Sequence, residues 1–148
     1  MIIIASAIKI HHPEVYQHLR SLSVPLEWYF YDSFSQFFSN VLPSEALFRL
    51  WDMLILNIST TNEGERKRAL WYLLAIPIYM VEKNAEQILM YNDPSEIKEL
   101  LLNSTASLIH SPNDFMDELI ALIKKVFVIN EDLFSKLLGT ASTSRLES

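Results

Sequence analysis

Residues 42–56, LPSEALFRLWDMLIL, constrain the fold more than any other stretch of the chain. Leu42-Pro43 ends the segment before it. Proline holds φ near the helical value, and the N–H it lacks has no partner in a first helical turn anyway. Leu47, Leu50, Trp51, Leu54 and Ile55 then recur at spacings of three and four, which is one face of an α-helix. Phe48 and Met53 widen the apolar arc, while Glu45, Arg49 and Asp52 fall mostly elsewhere on the wheel. A helix this apolar is expected to be buried on more than one side, at the centre of a helical domain.

The chain has 148 residues, enough for one domain with a real core. Half of it is hydrophobic, and two Gly and six Pro leave few places to break a helix. An all-α, compact multi-helix bundle is the fold class expected. The formal net charge is −6 and no basic tract is present. Nucleic-acid binding is therefore not expected, because phosphate contacts need clustered Lys and Arg. With no Cys, disulfides and Cys-based zinc sites are excluded, and the redox compartment is not constrained. The first ten residues, MIIIASAIKI, are apolar but lack the basic start of a signal peptide. They fall short of the roughly 20 apolar residues of a membrane span. They read as the end of a buried helix or a short extended lead-in, with no transmembrane segment expected.

Residues 13–22 form the first clear helix, with Pro13 and Glu14 in its first turn and Val15, Leu19 and Leu22 as its stripe. His11, His12 and His18 lie close in sequence, but no carboxylate or Cys completes a metal set, so a structural or surface role is expected. Residues 27–40 carry seven aromatics in eleven positions and predict a helix with a candidate break near Asp32-Ser33. Phe34, Phe37 and Phe38 have core spacing, while Trp28 and Tyr31 are candidates for a partner groove. No Lys or Arg is interleaved to make a base-stacking platform.

After the central helix comes a polar stretch in which Asn62 and Glu65 have capping-box spacing. Arg66, Lys67 and Arg68 are the only basic triplet and are expected to be a solvated face. Residues 69–81 are nearly uniformly apolar and predict a buried helix kinked at Pro77, closed at 82–84 and followed by a short helix over 85–91. Asp93-Pro94 and Ser111-Pro112 are two clean restarts, opening helices to about Leu102 and Val128. A last short helix is expected to start at Asn130 and stop at Gly139, before a small, polar, disordered tail. The divisions expected are thus an apolar leading segment over 1–10, a helical body over 11–138 and a tail over 139–148.

The run from Ser33 to Ile55, SFSQFFSNVLPSEALFRLWDMLI, resembles the late part of the TBC domain of Rab GTPase-activating proteins. That family shows Trp-Phe, a Phe four residues on, a Leu-Pro turn, and an apolar helix carrying Trp-Asp. Phe34, Phe38, Leu42-Pro43 and Trp51-Asp52 stand in that register, with Ser33 where the family has the Trp of the pair. The upstream HHPEVYQHLRSLSVPLEWYF is similar to the family's approach to this motif, and the resemblance covers roughly 11–137.

The resemblance implies a regulator of a Rab-type small GTPase rather than an enzyme, located in the cytoplasm and peripheral to endomembranes through its GTPase. The family draws an Arg from Ile-x-x-Asp-x-x-Arg and a Gln from Tyr-x-Gln, both upstream of the matched region. Neither pattern occurs here: Tyr16 and Gln17 are adjacent, and Arg20 and Arg49 lack the context. No Gly-rich phosphate loop, Cys nucleophile or nucleophile elbow occurs either. No catalytic, cofactor or metal residue is therefore assigned, no cofactor is expected, and the partner-binding residues are left open.

Two readings follow. The chain is a piece of a Rab GTPase-activating protein whose N-terminal catalytic lobe lies outside it. In that case it buttresses that lobe and is not catalytically competent alone. Alternatively it is a non-catalytic helical module for protein–protein interaction.

Overall fold

The computed structural model describes residues 2–128, and every regular element among them is helical. The helices are α1 (Ile2–His11), α2 (Pro13–Ser21), α3 (Leu26–Ser35), α4 (Ser44–Ile58), α5 (Glu63–Met90), α6 (Pro94–Ser107) and α7 (Pro112–Ile123). A π-helical turn, Lys124–Val128, extends α7. The all-α bundle expected from the sequence is what forms. The helix expected at 130–137 and the tail expected at 139–148 lie outside the described residues.

The apolar leading residues form α1, and Ile3, Ile4, Ala7 and Ile8 enter the core. Three restarts follow the capping chemistry of the sequence. Asp93 accepts a bond from the Ser95 N–H at 2.9 Å, and Ser111 Oγ accepts one from the Asp114 N–H at 3.0 Å. Asn62 opens α5 by accepting from the Gly64 N–H at 2.8 Å, one residue short of the expected capping-box partner. α6 outruns its expected end at Leu102 by five residues, and buried Thr105 lies in that last turn.

The centre of the bundle is α5, not α4. Packed around α5 are α1, α2, α4, α6 and α7. It runs unbroken for 28 residues through Pro77 and through the polar residues 82–84, where the sequence suggested a stop. Pro77 removes the N–H that would bond the Leu73 carbonyl. The surrounding Ala75, Ile76, Ile78, Tyr79, Met80 and Val81 are all buried, and that burial holds the helix together across the gap. Neighbours receive the polar groups after it: the Asn84 side-chain N–H donates to the Met80 carbonyl and to Thr105 Oγ1, Lys83 pairs with Glu118, and Glu82 lies 3.7 Å from Lys125.

α3 does not run on to Asn40, and the break expected near Asp32-Ser33 comes two residues later. It stops at Ser35 because the chain turns through left-handed residues, Phe37 (φ 50°) and Phe38 (φ 63°). The Phe37 N–H bonds the Phe34 carbonyl and the Phe38 N–H bonds that of Ser33, the paired pattern of a Schellman cap. Phe38 is buried and meets Phe34 edge-on at 5.1 Å. Phe37, expected in the core, points out instead, because the left-handed step rotates its side chain off the inner face.

Candidate interaction surface

α4 lies at the edge of the bundle, against α5 and α7. Its inner face is Ala46, Leu47, Leu50 and Leu54, all buried. Its N-terminal end sits beside that of α7, where Arg49 donates to Asn113 Oδ1 at 2.6 Å. The outer face is open: Phe48, Ile55, Leu56 and Ile58 are 58, 63, 67 and 61 % exposed. Trp51 is half-buried, packs on the core, and meets Phe48 edge-on at 6.0 Å. Ile55, expected inside with Leu54, is therefore outside, and the apolar arc of α4 is wider than the core it serves. Glu45 and Asp52 are exposed on the same outer face.

A second exposed group surrounds α3. Trp28 and Tyr31 surface, as their place in the sequence suggested, and Phe37 joins them. Trp28 is held by Lys98 of α6, whose ammonium lies 4.4 Å from the ring centroid and 2.9 Å from Asp32 Oδ2. Sequence spacing gave no sign of this clamp, because Lys98 is 66 residues from Asp32; the clamp depends on α3 packing against α6.

Between α5, α6 and α7 lies a groove of about 650 Å3 lined by Tyr79, Glu82, Lys83, Glu86, Glu118 and Lys125 among others. Its charges are largely paired with one another. Burial, reinforced by Glu118 and Glu82, pushes the Tyr79 hydroxyl up to about 12, so it stays protonated and has no acid–base role near neutrality.

The histidines do not converge. His18 Nε2 donates to the Tyr91 carbonyl at 2.6 Å, tying α2 to the end of α5. Nε2 of His11 and of His12 is buried without a partner. Burial, with help from Lys125 and His12 against an opposing Glu82, holds the His11 imidazolium below its ordinary range. Among the described residues no group of three His, Cys, Asp or Glu is placed to hold a metal ion. None of their helices is long and apolar enough to cross a membrane. Around α3 and α4 the described residues present apolar and aromatic side chains on the surface.

No curated protein and no solved structure matches the chain. A family model described as the Rab-GTPase-TBC domain matches residues 1–89, which takes in α1 to α4 and nearly all of α5 and includes the Leu42-Pro43 turn and Trp51-Asp52. That span is more than half of the chain, and the all-helical fold accords with it. The chain belongs to the Rab-GTPase-TBC domain family.

Proposed function

We propose that this chain is part of a GTPase-activating protein for Rab-type small GTPases, and that it supports the GTPase-facing groove without supplying either catalytic finger. The observation that carries the reading is the family match over 1–89 in a chain that contains neither finger motif. A GTPase activator works by holding charge and hydrogen-bond donors against the transferring γ-phosphoryl group, and an arginine finger contributes a factor of about 10³–10⁵. The nucleotide and its Mg²⁺ belong to the GTPase, so the reading needs no cofactor on this chain. Residues 11–138 act as a lobe under it, and the fingers come from an N-terminal catalytic lobe. The site of action is the cytoplasmic face of the endomembrane that carries the GTPase.

The second reading, a non-catalytic interaction module, is favoured by the open apolar face of α4, which suits binding and offers no reacting group. One experiment separates the two. Residues 1–148 are titrated into a panel of GTP-loaded Rab-type GTPases, and binding and single-turnover hydrolysis are read together. The first reading predicts binding to at least one member at its intrinsic hydrolysis rate, and faster hydrolysis when a finger-bearing TBC lobe is supplied. Binding with no acceleration even when that lobe is supplied overturns it in favour of the second, and a panel with no bound member overturns it outright.

A further inference from the structure

α4 exposes four large apolar side chains, more than any other helix among the described residues. Phe48 and Ile55 are two turns apart on one line, Ile58 is three residues further, and Leu56 lies beside them. Trp51 fills the row between Phe48 and Ile55. This is an i, i+3, i+7, i+10 row on one helix, the pattern that receives another amphipathic helix. Two charges stand beside the row, Glu45 and Asp52, seven residues apart and both acidic. α4 has no Lys, and its one Arg, Arg49, is turned to Asn113 of α7.

We propose that the outer face of α4 docks a basic amphipathic helix of another protein, one with an apolar stripe flanked by Lys or Arg. The charges decide among occupants. A basic helix places its cations against Glu45 and Asp52, the complementarity that sets partner choice and register. A second copy is disfavoured, because two-fold antiparallel pairing about the middle of the row, near residue 53, brings the two Asp52 carboxylates together. An anionic bilayer is disfavoured by the same carboxylates, since such surfaces attract basic segments. The inference holds whether or not the chain assists a GTPase activator, because peptide binding and GTP hydrolysis are separate readouts.

The probe is a 14-residue peptide with leucines at helical spacing and lysines elsewhere, titrated calorimetrically into the full chain. A second peptide carries glutamate at every lysine. The Lys peptide is expected to bind and the Glu peptide not. Ile55→Asp should weaken the Lys peptide at least tenfold with the helical circular dichroism unchanged, since Ile55 is exposed. Asp52→Lys should weaken the Lys peptide and confer binding on the Glu peptide. Four results overturn the proposal: no binding of the Lys peptide, equal binding of both peptides, binding that Ile55→Asp leaves intact, or a sedimenting dimer that Ile55→Asp dissolves. Binding to phosphatidylserine vesicles that is lost in Ile55→Asp would instead assign the face to a membrane.

Discussion

Asn84 of α5 donates to Thr105 Oγ1 of α6 at 3.3 Å, and both side chains are buried in an otherwise apolar contact. The Asn84 amide also donates to the Met80 carbonyl at 2.8 Å, and Thr105 donates to the Leu101 carbonyl at 2.8 Å. Each helix thus holds its own polar side chain in place before the two meet. Truncating one partner leaves the other buried and short of a bond, which costs more than the bond itself contributes. Asn84→Ala should cost about 2 kcal/mol and Thr105→Val about 1 kcal/mol. The pair Asn84→Ala with Thr105→Val should cost less than the sum of the two single changes. Urea midpoints of the four proteins check this, and strictly additive losses would mean that the two side chains act independently.

Phe37 holds a left-handed φ of 50° while 65 % exposed, so it carries the strain of the cap without the compensation of burial. Glycine is the residue this Schellman position favours. Phe37→Gly should stabilise the chain by about 1 kcal/mol, the left-handed penalty less part of the added chain entropy. Thermal unfolding reads it, and a loss of stability would show that the Phe37 ring packs in solution.

Trp51 looks like a core anchor in the sequence, yet it is half-buried beside exposed Phe48. Trp51→Ala should therefore cost about 2 kcal/mol, below the roughly 3–5 kcal/mol of a fully enclosed large aromatic. A urea titration reporting the larger loss would place the ring inside the core.

His11 gives a pH dependence whose sign follows from burial. Its folded-state pKa lies below the ordinary value of 6.5, chiefly through desolvation, then through Lys125 and His12. As pH falls through 6.5 the unfolded chain takes up a proton that the folded chain resists, so this group removes stability toward acid and leaves it untouched above. The Lys125 and Glu82 charges face it from the π-helical turn and from α5. His11→Gln should lose less stability than the parent between pH 7 and 5. Parallel curves for the two proteins over that interval would remove His11 as the cause.

Much of this fold is written locally. Asp93-Pro94 and Ser111-Pro112 announce the starts of α6 and α7 because a side-chain acceptor followed by a ring-fixed φ is a self-contained signal. The spacing of Leu47, Leu50 and Leu54 likewise locates the inner face of α4. What was illegible depends on contacts far along the chain. Residues 82–84 look like the end of a helix until Lys125, Glu118 and Thr105 are seen to receive them. The break expected near Asp32-Ser33 falls at Ser35, and its exact place is set by a Schellman cap without glycine, which has no sequence mark. The surface of α4 was hidden for a third reason. Periodicity says which residues are apolar, but only the neighbours decide which of them are covered. Phe48 and Ile55 extend the stripe of Leu47 and Leu54 on paper and face away from it in the fold.

The most direct test is single-turnover GTP hydrolysis by a Rab-type GTPase saturated with residues 1–148. With neither finger motif in the chain, the rate should stay within about twofold of the intrinsic one, against the 10³–10⁵ that a finger supplies. A tenfold or greater acceleration would contradict the account, and would mean that catalytic groups lie in this chain outside the family's motifs.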